Sequence, residues 1–314
     1  MLHRWTLAIV LFTLSGEAMA NGMELDAILE PIRVTDRVYY FKGSLDVRSY
    51  ENQAVNNNLA FVVTDSGVVL IDSGPSRWVA ERIEQAIATV TDRPVRWVIN
   101  SGSQDHRWLG NDYFHERGAE IIALRRTTET QARFADQHLT RLERILADRL
   151  EGTRPLPAPD PVDAERHAVT LGGVELEVIY AGDAHFPGDV LVWVPNEDTV
   201  FTGDVVYLDR ILGIHPWSDI RGWLDAFAEL EALDPAHVIP GHGMAADMAR
   251  SRADTGDYLA ALLAGVRRGL DEWEELHETT ERLGEMPRFR HLRHYDEWHR
   301  LNINRVYLNL EAGE

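Results

Sequence analysis

The 314-residue chain contains no cysteine. It can form no disulfide even in an oxidising compartment, so its core must hold together unaided. Any metal site must draw on His, Asp, Glu or Gln; such N/O donors suit zinc, iron or manganese and exclude thiolate sites. Positive charge is scarce as well: 31 Lys and Arg stand against 51 Asp and Glu, a formal net charge of −20. So acidic a chain repels phosphate backbones, and no basic stripe interleaved with aromatics offsets it, which argues against nucleic acid as a partner. Beyond the first twenty residues no apolar run is long enough to span a bilayer. Short repeats and low-complexity tracts are missing too.

What is present is an ordinary globular composition, 45% hydrophobic and 26% charged, in a length that suits one large domain with a well-buried core. The start reads differently. A short basic segment, M-L-H-R-W, precedes the apolar run T-L-A-I-V-L-F-T-L and a small-residue site, A-M-A, ending at Ala20. That order is a secretory signal peptide, so residues 1–20 are expected to be removed and the mature protein exported, to the periplasm in a Gram-negative cell. Residues 21–314 are expected to form a single domain.

Runs rich in Val, Ile, Tyr and Phe at 33–43 and 58–72 read as strands joined by T-D-S-G. Val79, Ile83, Ile87 and Val90 share one helical face. V-R-W-V-I-N is the next strand, a helix is expected from about Gly110, I-I-A-L is a short strand, and a long charged helix is expected over 127–150. The proline-rich stretch 152–162 fits a long loop. Three further strands, A-V-T-L, E-L-E-V-I-Y and V-L-V-W-V, lead to V-F-T-G-D, a helix at 219–233 and the strand H-V-I-P-G-H-G. The chain from about 250 onward is mostly helical, with a break at M-P-R-F-R. Strands followed by helices occur once in each half, which predicts an α/β fold: two central sheets packed face to face with helices outside, a four-layer αββα sandwich.

Polar residues follow apolar strands at Asp72, 102–106, His185, Asp204 and His242. Strand ends on one sheet edge are rigid supports for a site. Asp72 has a simple role as acceptor of backbone N–H groups in its own turn. His242 is more pointed: glycines on both sides leave room for close approach, and an imidazole there is placed to coordinate.

Together the motifs I-D-S-G, V-I-N, A-x-x-x-H-F-P-G-D, V-F-T-G-D and V-I-P-G-H-G resemble, in order and spacing over roughly 35–250, the metallo-β-lactamase superfamily of metallohydrolases. The tail H-Y-D-E-W-H-R-L-N also resembles its exported branch, the quinoprotein relay system zinc metallohydrolases. The resemblance implies one or two zinc ions at the sheet edge and hydrolysis by metal-bound hydroxide, whose pKa zinc lowers to about 7. By the family pattern His185 ligates the first metal, Asp204 bridges both, and His242 ligates the second.

The chain departs from that family at its metal-binding turn, H-x-H-x-D-H. In the ungapped register Gly102 and Gln104 replace the two leading histidines, His106 the aspartate and Arg107 the last histidine. His106, Asp204 and His242 then suffice for one metal with open positions, and Asp105 is an outer hydrogen-bond partner or proton shuttle. A second register, shifted by one residue, makes Asp105 and His106 the family's Asp-His pair. In a third reading no metal binds: Arg107 pairs with Asp204 and fills the vacancy. Gln104 and Arg107 are candidate substrate contacts. Trp108 and Trp217 are candidates for the cleft or for packing, and His215, Trp298 and His299 for segments closing over it. The expectation is an exported hydrolase of a small molecule with one zinc (or iron or manganese) ion. The alternatives are a metal-free periplasmic binding or accessory protein of a redox system, and a β-lactamase or lactonase.

Overall fold

The computed structural model describes residues 24–313, so the expected signal peptide lies outside the described residues. The first sheet has the order β1-β2-β3-β4-β5-β6, formed by Ile32–Arg33, Val38–Phe41, Leu59–Val63, Val68–Ile71, Val95–Ile99 and Glu120–Ile122. Strands β1 to β4 run antiparallel, whereas β4-β5 and β5-β6 are parallel. The second sheet repeats the plan in the order β11-β10-β9-β8-β7, with Arg166–Leu171, Val174–Ile179, Leu191–Val194, Thr199–Phe201 and His237–Ile239 as β7 to β11. Here β7 to β10 are antiparallel and β10-β11 parallel.

Alternation along each strand decides which layer a side chain enters. Val38, Tyr40, Val62, Val69 and Ile71 meet Leu176, Val178, Val192, Val194 and Phe201 between the sheets. The opposite faces, Phe61 and Leu70 on one side and Leu191 and Trp193 on the other, pack against outer helices. Both faces of β4 are covered, and all four of its residues are buried, as expected of a strand running parallel to its neighbour. The helix Arg77–Ile87 buries Val79, Ala80, Ile83 and Ile87, and Ser76 caps it by accepting from the Val79 amide. Helices Ile220–Ala232, Asp257–Asp271 and Tyr295–Gly313 cover the second sheet. The αββα sandwich expected from the sequence is the observed architecture.

Two boundaries differ from expectation. The helix placed near Gly110 is two short ones, Asp105–Trp108 and Asn111–His115, parted by Leu109 and Gly110. Gly110 marks the break because a Cβ there would meet the Ser73 carbonyl oxygen at 2.2 Å. The long charged helix is Arg125–Leu146, and a single turn of 3-10 helix, Ala147–Leu150, continues it. Among the described residues no helix is long and apolar enough to cross a membrane.

Candidate functional site

Two parallel strand pairs, β4 with β5 and β10 with β11, bring four carboxyl ends to one edge of the sandwich. Asp72 follows β4, and the turn holding Gln104 to Arg107 follows β5. Asp204 sits in the turn after β10, and His242 follows β11. Asn58 fixes the G-H-G loop: its side-chain amide donates to the carbonyls of Pro240 at 2.9 Å and Gly243 at 2.8 Å, while its own amide oxygen accepts from Gly43. His185 arrives on the loop after β8, held by its carbonyl, which accepts from the Ser218 hydroxyl at 2.7 Å.

The centre of the group is the fully buried Asp204. Its Oδ1 accepts from Arg107 Nη2 at 2.5 Å and lies 3.1 Å from His242 Nε2. Its Oδ2 is 3.7 Å from His106 Nε2 and 3.9 Å from His185 Nε2, and has no hydrogen-bond partner. Arg107, itself buried, also donates to Asp72 Oδ2 at 2.6 Å and to Ser101 Oγ at 3.2 Å. Asp72 accepts from the Ser101 amide and hydroxyl as well, so its carboxylate holds the turn after β5 and not, as the sequence suggested, its own. One guanidinium thus serves two carboxylates, and they share it unequally. Burial raises the Asp72 carboxyl above its ordinary range despite Arg107 and Ser101. At Asp204 burial pushes the same way, but Arg107 and the adjacent histidines outweigh it and hold the carboxyl well below that range. Asp189, buried beside this charge, is pushed well up by burial and by Asp204.

A second ring of arginines faces the histidines from outside. Arg48 contacts His106 Nδ1, and Arg210 Nη1 is 3.4 Å from His242 Nδ1. Burial, followed by Arg210, pushes His242 down to about 3, and burial with Arg48 lowers His106. His185 is held well below its usual value and His215 at about 4, in both cases chiefly by burial. Each of these shifts favours the neutral imidazole, which carries one proton.

That bookkeeping tests the fit to a metal. A guanidinium only donates, so the Nδ1 it faces must accept, which leaves the proton of His106 and of His242 on Nε2. Asp105 Oδ1 also lies 3.5 Å from His106 Nδ1, but Arg48 is nearer. Metal-bound histidines show the reverse arrangement, with a free Nε2 toward the ion and the other N–H given to an acceptor. At His185 the Nε2 lone pair is taken by Gln104 Nε2 at 2.8 Å; Gln104 Oε1 faces Arg48, which sets the amide orientation. A cation, Arg107, already neutralises Asp204. Among the described residues no group of three His, Asp or Glu side chains is arranged to hold a metal ion. The donors present do not fit a bound zinc.

Of the residues singled out in the sequence, His106, His185, Asp204, His242, Gln104 and Arg107 come together. Asp105 stands at the rim of this group: its carboxylate is 3.5 Å from His106 Nδ1 but pairs with Arg48 at 2.9 Å and Arg141 at 2.5 Å. Trp108 is fully buried, with its indole N–H on the Ser103 carbonyl, and packs in a cluster with Leu142 and Leu146. His299 is buried between Tyr258 and the Leu283 carbonyl, and Trp217 packs on Phe134 and Phe186. His215 and Trp298 line a cavity of about 250 Å³ in front of the group. Arg48, Arg210, Tyr207, Asn302 and Arg305 line it too, and the sequence reading had named none of them. Arg48 belongs to the loop between β2 and β3, which carries no periodic signal. The tail did carry one: Trp298, Leu301, Asn302 and Arg305 are spaced i, i+3, i+4, i+7, a single helical face.

The family model described as the Metallo-beta-lactamase superfamily matches residues 53–242. Among curated proteins, the alpha subunit of 2,4-dinitroanisole O-demethylase from Nocardioides sp. (strain JS1661) is 27% identical over 267 residues, 79% of this chain and 73% of that protein. A type 2 metallo-beta-lactamase from Bacteroides fragilis is 29% identical over 92 residues, 28% of this chain and 37% of that enzyme. Among solved structures, a stereoselective inverting sec-alkylsulfatase from Pseudomonas sp. superposes with a TM-score of 0.69 at 18% identity, covering 88% of this chain and 49% of that one. A metallo-beta-lactamase from Pontibacter korlensis gives 0.56 at 22% identity, covering 70% and 94%.

Proposed function

Because the chain belongs to the metallo-beta-lactamase superfamily and yet faces its cavity with arginine, we propose that it binds a small amphipathic anion at the sheet edge. The observation that carries this is the charge of the cavity lining. Arg48, Arg210 and Arg305 are there, and among the described residues no Asp or Glu lines it, in a chain of 51 acidic residues. A cleft of one sign inside a molecule of the other focuses the field on the ligand. Val47, Ile214, Pro216, Trp298 and Leu301 supply the apolar part of the wall, so the anionic group has a hydrocarbon body attached. The sec-alkylsulfatase neighbour is named for a substrate of that character, which supports the reading. Residues 1–20 support an exported protein, and the resemblance of the tail to the quinoprotein relay branch supports a periplasmic redox system as its setting.

A hydrolytic reading is favoured by a separate observation: Asp204 Oδ2 and His106 Nε2 are buried, face each other and lack hydrogen-bond partners. An ionised carboxylate of this kind is a candidate base for a water molecule. Titration of the purified chain with medium-chain alkyl sulfates and alkyl carboxylates, read by calorimetry, tests the binding reading. Saturable binding that weakens with salt and is lost in Arg48→Ala is expected. Equal affinity for the matching alcohols would refute it. Release of alcohol from the sulfates, followed in the same samples, distinguishes the hydrolase from the binding protein.

A further inference from the structure

We propose that Arg107 is a resident cation, which does on Asp204 the electrostatic work that the superfamily gives to a metal ion, and that the surrounding site is rebuilt to hold it. Three independent features carry this. The guanidinium lies between two buried carboxylates, at 2.6 Å from Asp72 and 2.5 Å from Asp204, and does not line the cavity. It is therefore spent on the protein, not offered to a ligand. Position 102, where the resemblance expects a histidine, is a glycine for a steric reason. A Cβ there would meet Asp189 Oδ1 at 2.9 Å and Arg107 Cδ at 3.0 Å. A side chain at 102 would press on both Arg107 and the Asp189 carboxylate, so the present path of Arg107 and a glycine at 102 suit one another. Finally, Gln104, at the other leading-histidine position, gives its amide N–H to His185 Nε2 and occupies the lone pair that would face a metal.

An emptied site would show none of this coordination. Random loss of ligands leaves buried charge without a counter-ion, which folded proteins do not tolerate. Here the turn supplies the replacement cation and the space it needs, and Asp72, Ser101 and Asp204 accept its hydrogen bonds. The guanidinium and a divalent ion are alternatives at Asp204, and the wild-type chain excludes the ion by charge.

This inference stands apart from the anion reading, because Arg107 is behind the cavity wall. The test is zinc stoichiometry and affinity in the full chain, measured by elemental analysis after dialysis against zinc and by calorimetry with zinc alone. Wild type and Arg107→Lys are expected to hold no stoichiometric zinc. Arg107→Gln, which removes the charge and keeps a polar side chain, is expected to bind one zinc at least about 100-fold more tightly than wild type. Adding His242→Ala to that variant should abolish the gain, and adding Arg48→Ala, which releases His106 Nδ1, should increase it. One zinc per wild-type chain, lost on His242→Ala, overturns the proposal. So does a folded Arg107→Gln with no gain. If Arg107→Gln is unfolded alone, recovery of its circular dichroism on adding zinc supports the proposal, and failure to recover overturns it. Loss of alkyl sulfate binding in any of these proteins bears on the anion reading only.

Discussion

Removing the charge of Arg107 in the absence of metal should cost much of the stability of the fold, and the cost should depend on pH. In Arg107→Gln, kept in chelator, Asp72 and Asp204 stay buried and lose the guanidinium that touches both. Breaking a buried pair by removing one partner costs about 3–5 kcal/mol, out of a total of about 5–15 kcal/mol for a typical domain. The corresponding fall in melting temperature is roughly 10 °C. The sign of the pH effect follows from Asp204. In wild type its carboxyl is held below the ordinary range, mainly by Arg107 against the pull of burial. It contributes stability above the unfolded carboxyl pKa, and that contribution is lost only as pH falls through the depressed value. In the variant burial is opposed only by Ser101 at Asp72 and by the histidines at Asp204, so the Asp72 carboxyl, already raised, rises further and the Asp204 carboxyl is released upward. They then destabilise at neutral pH and cease to do so once protonated. Urea denaturation followed by circular dichroism, at about pH 7.5 and about pH 5, should therefore show a deficit that narrows on acidification. A deficit under about 1 kcal/mol at neutral pH, or one equal at both values, would refute the claim that Arg107 neutralises these carboxylates.

Gly102→Ala should destabilise by about 1–3 kcal/mol in wild type and by clearly less in an Arg107→Ala background, which removes the Cδ that the added methyl meets at 3.0 Å, Asp189 Oδ1 at 2.9 Å remaining in both; a double-mutant cycle with no coupling would contradict the steric link. Trp223→Ala should cost about 3–5 kcal/mol by thermal melting, because it empties a fully buried site and strands the Val205 carbonyl that accepts from its indole at 2.8 Å. Acid should weaken the fold from the buried neutral histidines as well. His242 is pushed down to about 3, and His138 and His215 to about 4. The unfolded chain therefore binds more protons than the folded one below about pH 6.5, and stability should fall steadily from there toward pH 4; a flat profile over that window would show that these imidazoles are not held neutral. Arg305→Ala should weaken alkyl sulfate binding about 3- to 10-fold and flatten its salt dependence, as read from the same calorimetric titrations.

The sandwich was legible because its signals are local. Apolar runs bounded by turn residues, such as V-V-L-I-D-S-G-P, give strands, and the 79-83-87 spacing gives a buried helical face. The strand-end residues His185, Asp204 and His242 were legible for the same reason, each standing directly after a recognisable element or motif. The turn at 102–107 was not decided by its own residues. Two registers and a filled vacancy were all compatible with S-G-S-Q-D-H-R, and the choice depends on Asp72 and Asp189, which reach Arg107 from elsewhere in the chain. Asp105 illustrates the limit: beside His106 in sequence, it faces Arg48 and Arg141 in space. Arg48 and Arg141 come from a loop and from the charged face of a long helix. Nothing near either one in the chain distinguishes it from any solvated arginine.

The outer wall of the cavity has one more consequence. Trp298, Leu301, Asn302 and Arg305 all lie on the C-terminal helix, part of the outer layer over the second sheet, which packs on helices Asp257–Asp271 and Leu276–Leu283 and is tied to the 212–218 segment by Asn302 and Asn309. The two residues just before this helix tie it to the first half of the molecule, Arg293 to Asp46 and His294 to the Leu45 carbonyl. A wall attached in this way is a cooperative unit that can open without melting the sandwich. Its backbone amides should then exchange with solvent faster than those of β4 and β9, and a bound anion, by linking wall to floor, should slow them selectively. Occupancy of the cavity would be recorded some distance from the arginines, in the exchange lifetime of the last helix.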